Sequence, residues 1–212
     1  MFLEFIVPLT KYLGVLNVFR YITFRTACAL IVALLIGFLL GPRVIEYLRR
    51  VKAGQSIRED GPGTHLVKSG TPTMGGVLIL AALSVSILLF GNLSNPYVII
   101  MFIATPQYGI IGFIDDYLKV VKKDTRGLAA RLKLLMQFVT SASVVAARVI
   151  SPMRNLELTK VFIPFFADIA IDLDWLYYPF AMLLLMGASN AVNLTDGLDG
   201  LAIGLTIFAG VG

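Results

Sequence analysis

Two adjacent carboxylates, Asp115-Asp116, close an apolar run and open a basic one in the string IIGFIDDYLKVVKK. Neighbouring acids at a membrane boundary repel each other and resist desolvation, so a cation must compensate them. If a helix continues through them, Asp115, Lys119 and Lys122 share one face, and Asp116, Lys119 and Lys123 share another. Such a pair can bind Mg²⁺ or accept a proton, beside lysines that hold phosphate. The plain alternative is an Asp–Lys laced helix end resting among lipid headgroups.

A second cluster is Lys68-Ser69-Gly70-Thr71-Pro72-Thr73-Met74-Gly75-Gly76. Amides freed by glycines, two threonine hydroxyls and a lysine suit a phosphate, although the Walker pattern is absent. The alternative is a turn entering an apolar helix. A third is NAVNLTDGLDGLA, residues 190–202, between two apolar runs. Asn190, Asn193, Asp196 and Asp199 recur every third residue, which puts them near one side of a helical turn. Gly197 and Gly200 argue for irregular or closely approached backbone, which survives at membrane depth only against protein or a wet cavity. Intramembrane acids are functional candidates by default, and the alternative is a polar loop between spans.

The elements that must position these groups are membrane helices. Hydrophobic residues make up 58% of the 212, charged residues 15%, and the mean hydropathy is +0.84. That composition belongs to a bilayer protein. Thr26–Pro42, Thr73–Phe90, Tyr97–Ile114 and Trp175–Asn190 approach the ~20 residues that cross ~30 Å of hydrocarbon. Leu134–Ala147 is shorter, with Lys133 and Arg148 at its ends able to snorkel, and is counted as a span. Leu201–Gly212 begins a sixth. The expected fold is therefore all-α and polytopic, five complete spans plus the start of another, in one domain over residues 1–212. Pro106 falls inside the third span and is expected to kink it.

Charge sets the orientation. The net charge is +5, yet Arg43–Lys68 and Lys119–Lys133 hold six Lys and Arg each out of 18. The turn Gly91–Pro96 holds none. The positive-inside rule puts both basic segments in the cytoplasm, together with Asn190–Gly200, and explains the charge without nucleic acid. The segment Ile150–Asp174 is then external, lying on the surface or forming a short hairpin. All three polar clusters fall on the cytoplasmic side. Carboxylates and lysines beside apolar spans suit a phosphoryl transfer from a soluble donor to a lipid acceptor. The single Cys28 makes no intrachain disulfide, and the single His65 makes no His-based metal site alone.

These strings resemble the phospho-N-acetylmuramoyl-pentapeptide-transferase family, in the polyprenyl-phosphate N-acetylhexosamine-1-phosphate transferase superfamily. They are Asp60-Gly61-Pro62 with His65, GTPTMGG at 70–76, GFIDDYLKVVKKDTRGL at 112–128, PFF at 164–166 and NAVNLTDGLDGLA at 190–202. The resemblance implies a Mg²⁺-dependent enzyme of the bacterial cytoplasmic membrane, acting at its cytoplasmic face. It moves phospho-MurNAc-pentapeptide from UDP-MurNAc-pentapeptide to undecaprenyl phosphate, giving lipid I and UMP. By position, Asp115 and Asp116 match the catalytic acids and contribute to the metal site. One deprotonates the lipid phosphate or, in another scheme, acts as a nucleophile. Lys68, Thr73, Asn190, Asn193, Asp196 and Asp199 match nucleotide-pocket positions, with Asp199 toward the uracil. Lys119, Lys123 and Lys133 match phosphate-binding positions. Relatives have roughly ten spans of ~20 residues, and homodimers occur among them. Their third essential aspartate and a His-rich motif are expected beyond Gly212. The chain is thus read as an N-terminal part, inactive alone. The rival readings are a sister transferase using another UDP-N-acetylhexosamine, a transporter using the intramembrane acids, and an inactive remnant.

Overall fold

The computed structural model describes residues 6, 8, 9, 11–50, 74–121, 127–151, 159–163, 166–195 and 201–211. The elements are α1 Ile22–Arg50, α2 Gly76–Phe90, α3 Pro96–Val121, α4 Ala130–Ile150, β1 Lys160–Ile163, β2 Phe166–Asp172, α5 Tyr177–Thr195 and α6 Leu201–Val211. Among the described residues, α1, α3, α4 and α5 (the last with the 3₁₀ turn Asp174–Leu176) are long and apolar enough to cross a membrane. The 15 residues of α2 rise ~22 Å, short of the ~30 Å hydrocarbon layer.

Local chemistry accounts for several boundaries. At the start of α3, Asn95 accepts a hydrogen bond from the Tyr97 amide through its Oδ1, 2.9 Å, and Pro96 takes the first helical position. An asparagine N-cap followed by proline satisfies one orphan amide and removes another. Pro106 lies inside α3, which runs on to Val121. The apolar run Thr26–Pro42 read as the first span lies inside α1, which continues past Pro42 to Arg50. Arg43 Nη1 approaches the Leu39 carbonyl at 3.5 Å, giving a carbonyl near the proline a side-chain partner. The helix α4 extends past both ends of the expected 134–147 span and takes Lys133 and Arg148 into its first and last turns.

One departure from an all-helical chain is the antiparallel hairpin β1–β2, which falls in the segment expected outside the membrane. Lys160 pairs with Asp172, Val161 with Ile171 and Phe162 with Ala170, and the register shifts between Phe162 and Ile163. Thr159 Oγ1 donates to Asp172, whose Oδ1 also accepts from the Asp174 amide at 3.0 Å. These two bonds, the Thr159 hydroxyl first, hold the Asp172 carboxyl below its usual range. They also steady Asp174, whose φ of 47° is left-handed.

The chain divides into two compact units, Met1–Lys133 and Leu134–Gly212. In the first, α2 contacts both α1 and α3. A Cβ on Gly109 of α3 would lie 2.3 Å from Leu80 Cδ1 of α2, so this glycine permits their close approach. In the second unit, α5 contacts α6. Polar groups are among the most buried, and large apolar side chains are widely exposed. Gln137, Thr140 and Ser141 are buried, while Phe38, Leu183 and Phe208 lie exposed. Apolar surface outside and polar groups inside is what hydrocarbon as solvent selects. The protein is a helical membrane protein.

Candidate active site

The helix α3 carries Asp115 and Asp116 in its last two turns, as the sequence expects. Asp115 is 7% exposed. Its Oδ2 accepts from Lys119 Nζ at 2.7 Å, one helical turn on, and lies 3.9 Å from Lys133 Nζ in the first turn of α4. Its Oδ1 accepts from the Leu128 amide at 2.8 Å. Both oxygens of this carboxylate are therefore matched, one by cations and one by backbone. That matching is the condition for keeping a charge at the membrane boundary. Asp116 is more open, with 36% of its side chain exposed, and its Oδ1 lies 4.0 Å from the same Lys119. One lysine thus serves both acids, as the i, i+3 and i, i+4 spacings predict.

The turn that returns the chain to Asp115 depends on Gly127. Its φ is +65°, a conformation that L side chains rarely adopt. A Cβ there would stand 2.6 Å from Asp115 Oδ1 and 2.6 Å from Lys119 Cε. Sequence reasoning singled out neither Gly127 nor the Leu128 amide. The available signal was a glycine just before the apolar start of the next helix, but an amide donor has no residue-type signature at all.

In the second unit, Asn190 and Asn193 lie on the last turns of α5, which continues to Thr195. Asn193 is exposed and Asn190 is half-buried. Asn190 is engaged by Gln137 of α4: Asn190 Nδ2 donates to Gln137 Oε1 at 2.9 Å, and Gln137 Nε2 donates back to Asn190 Oδ1 at 3.3 Å. Gln137 was also missed from sequence, although a carboxamide within a span is itself a signal.

Lys68, Thr73, Asp196, Asp199, Lys122 and Lys123 lie outside the described residues, as does His65. The second cluster is described only from Met74, whose φ is 71°. A bulky side chain in that region stores ~1–3 kcal/mol of strain. Among the described residues, no group of three or more His, Cys, Asp or Glu could hold a metal.

The arrangement can hold phosphate oxygens on Lys119 and Lys133, with a more exposed carboxylate, Asp116, beside a buried one, Asp115. A family model described as glycosyl transferase family 4 matches residues 97–212, more than half of the chain. A second, described as phospho-N-acetylmuramoyl-pentapeptide-transferase signature 1, matches residues 68–80. Among curated relatives, a phospho-N-acetylmuramoyl-pentapeptide-transferase of Oleidesulfovibrio alaskensis is 48% identical over 211 residues. One of Thermodesulfovibrio yellowstonii is 46% identical over 211 residues. Each match covers 100% of this chain and 58% of the relative, so the chain spans a little over half the length of these relatives.

Proposed function

Because the chain belongs to glycosyl transferase family 4, we propose that the protein transfers phospho-MurNAc-pentapeptide from its UDP carrier to undecaprenyl phosphate, yielding lipid I and UMP. The observation that carries this reading is the Asp115–Lys119–Lys133 cluster at the end of a membrane-spanning helix. It gathers acid and cation where a lipid headgroup phosphate would lie, at the boundary between hydrocarbon and water. The signature over residues 68–80 and the two relatives favour the MurNAc-pentapeptide donor over another UDP-N-acetylhexosamine.

In this reaction an oxygen of the lipid phosphate forms a bond to the β-phosphorus of the UDP-sugar. The bond from that phosphorus to the bridging oxygen breaks, and its electron pair leaves with UMP. Little covalent work falls to the protein, so charge neutralisation and positioning carry the catalysis. Lys119 and Lys133 are the cations for the lipid phosphate and the diphosphate, with Lys123 completing the set. Asp115, matched on both oxygens, holds the two lysines in register. Asp116, the more open acid, is the group a ligand reaches first. Lys68, Thr73, Asn193, Asp196 and Asp199 take the nucleotide.

The donor chemistry fits Mg²⁺. It takes oxygen ligands, keeps several waters and needs only one or two carboxylates besides substrate phosphates. Asp116, with Asp115 behind it, would hold the ion, which when bound neutralises charge developing on the diphosphate. We further read residues 1–212 as one transferase domain, the apolar run Thr73–Phe90 that contains α2 as a fifth crossing, and the site as facing the cytoplasm of a bacterial inner membrane. The partners are the two substrates and the bilayer, with a homodimer compatible.

The test is UMP release by the protein expressed from its whole reading frame, in nanodiscs with Mg²⁺, undecaprenyl phosphate and UDP-MurNAc-pentapeptide. Release that disappears with Asp116→Asn and is absent with UDP-GlcNAc supports the reading. Equal release from UDP-GlcNAc assigns the sister reaction. Silence while the Oleidesulfovibrio alaskensis relative is active in the same nanodiscs overturns the transferase assignment.

A further inference from the structure

Gln137 sits within the apolar helix α4 and is 1% exposed. A buried carboxamide offers two N–H donors and a carbonyl, and each costs free energy if left unmatched. Here all are matched within one unit of the chain. Gln137 Nε2 donates to Asn190 Oδ1 and to Ser189 Oγ, both at 3.3 Å. Gln137 Oε1 accepts from Asn190 Nδ2 at 2.9 Å, and Asn190 Nδ2 also donates to the Met186 carbonyl at 2.9 Å. Both donors of each amide are spent inside the protein. Asn190 therefore has no N–H left to offer a nucleotide, whereas Asn193, one turn later, is exposed. Ser141 Oγ donates to the Gln137 carbonyl at 2.8 Å, tying the same turn of α4 further.

We propose that Gln137 is a positioning residue for nucleotide binding, and that Asn190 is its latch partner rather than a ligand contact. The inference rests on the transferase reading above. Its physical content is rotational. Two facing carboxamides bond reciprocally only over a narrow range of relative settings of their helices. The latch therefore fixes the rotation and height of the last turns of α5. Asn193 stands on those turns, and the chain leaves them toward Asp196 and Asp199. A slip of α5 would displace the whole nucleotide-binding run together without touching the acid–lysine cluster's own bonds.

The test compares Gln137→Met, which keeps length and removes the hydrogen bonds, with the swap Gln137→Asn/Asn190→Gln, which keeps the pair. Measured on the protein from its whole reading frame, Gln137→Met should raise KM for UDP-MurNAc-pentapeptide about threefold to twentyfold, the range of one intramembrane hydrogen bond. The KM for undecaprenyl phosphate and kcat should stay within about twofold. The swap should recover most of the lost affinity. A merely structural loss would lower the active fraction, and so the apparent kcat, leaving KM alone. An unchanged nucleotide KM, or a swap no better than Gln137→Met, overturns the latch. If the unsubstituted protein neither binds nor turns over the UDP-sugar, the transferase reading has failed instead. The latch is then decided by thermal unfolding of Gln137→Ala, Asn190→Ala and the double variant, where additive losses overturn it and sub-additive losses sustain it.

Discussion

Asp115 shows how much a single residue's role depends on neighbours that residue type does not reveal. The acidic pair and Lys119 were legible from spacing alone, because i, i+3 and i, i+4 contacts follow from helix geometry. Lys133 was legible only through the family resemblance, since it lies 18 positions beyond Asp115 in the chain. The Leu128 amide and Gly127 were not legible, because backbone donors and a left-handed φ carry no pattern over such a distance. On the transferase reading, Asp115→Asn should cost about 10²–10³-fold in kcat. It leaves Lys119 and Lys133 without their common counter-charge, and UMP release measures the loss. Gly127→Ala should destabilise the protein by about 1–2 kcal/mol from the positive φ alone. It should also lower kcat by pressing on Asp115 and Lys119. Wild-type melting and turnover in that variant would sink the role given to this turn.

At the scale of elements, hydropathy found the helices but misplaced their ends. The runs Thr26–Pro42 and Leu134–Ala147 were bounded by charge, at Arg25 and Arg43 and at Lys133 and Arg148. In the structure α1 runs through Pro42, and α4 absorbs Lys133 and Arg148. Long cationic side chains reach water from inside a helix, so charge marks the edge of hydrocarbon rather than the edge of the helix. Helix caps are more local and better behaved. Asn95→Ala should cost about 1 kcal/mol by removing the cap of α3, read as a lowered midpoint in denaturant. The hairpin carries a pH signature. Asp172 has a depressed carboxyl, so its stabilisation is present above the unfolded value of about 3.9 and is lost as pH falls through the folded value. Trp175, the only tryptophan, lies three residues away and should report this. Its fluorescence should be flat from pH 7 to about 5 and change below about 4. Thr159→Val should move that change upward in pH, and an unaltered profile would remove Thr159 from the account.

At the scale of the whole molecule, the distribution of charge bears on orientation. With Cys28→Ser as background, cysteines at Ser94 and Arg131 should label oppositely with a membrane-impermeant maleimide. Position 94 should react from outside and position 131 only after permeabilisation. The reverse pattern would invert the topology and remove the cytoplasmic site. The pinning of Asp115 also has a bearing on how the protein is made. Ribosomes deliver ~5–20 residues per second, so Lys119 follows Asp115 within about a second, whereas Leu128 and Lys133 trail by up to ~4 s. The carboxylate thus reaches the translocon with its nearest counter-charge already one turn behind it, on the same nascent helix. Its first neutralisation is therefore local to α3, and the Leu128 amide and Lys133 add to it only later.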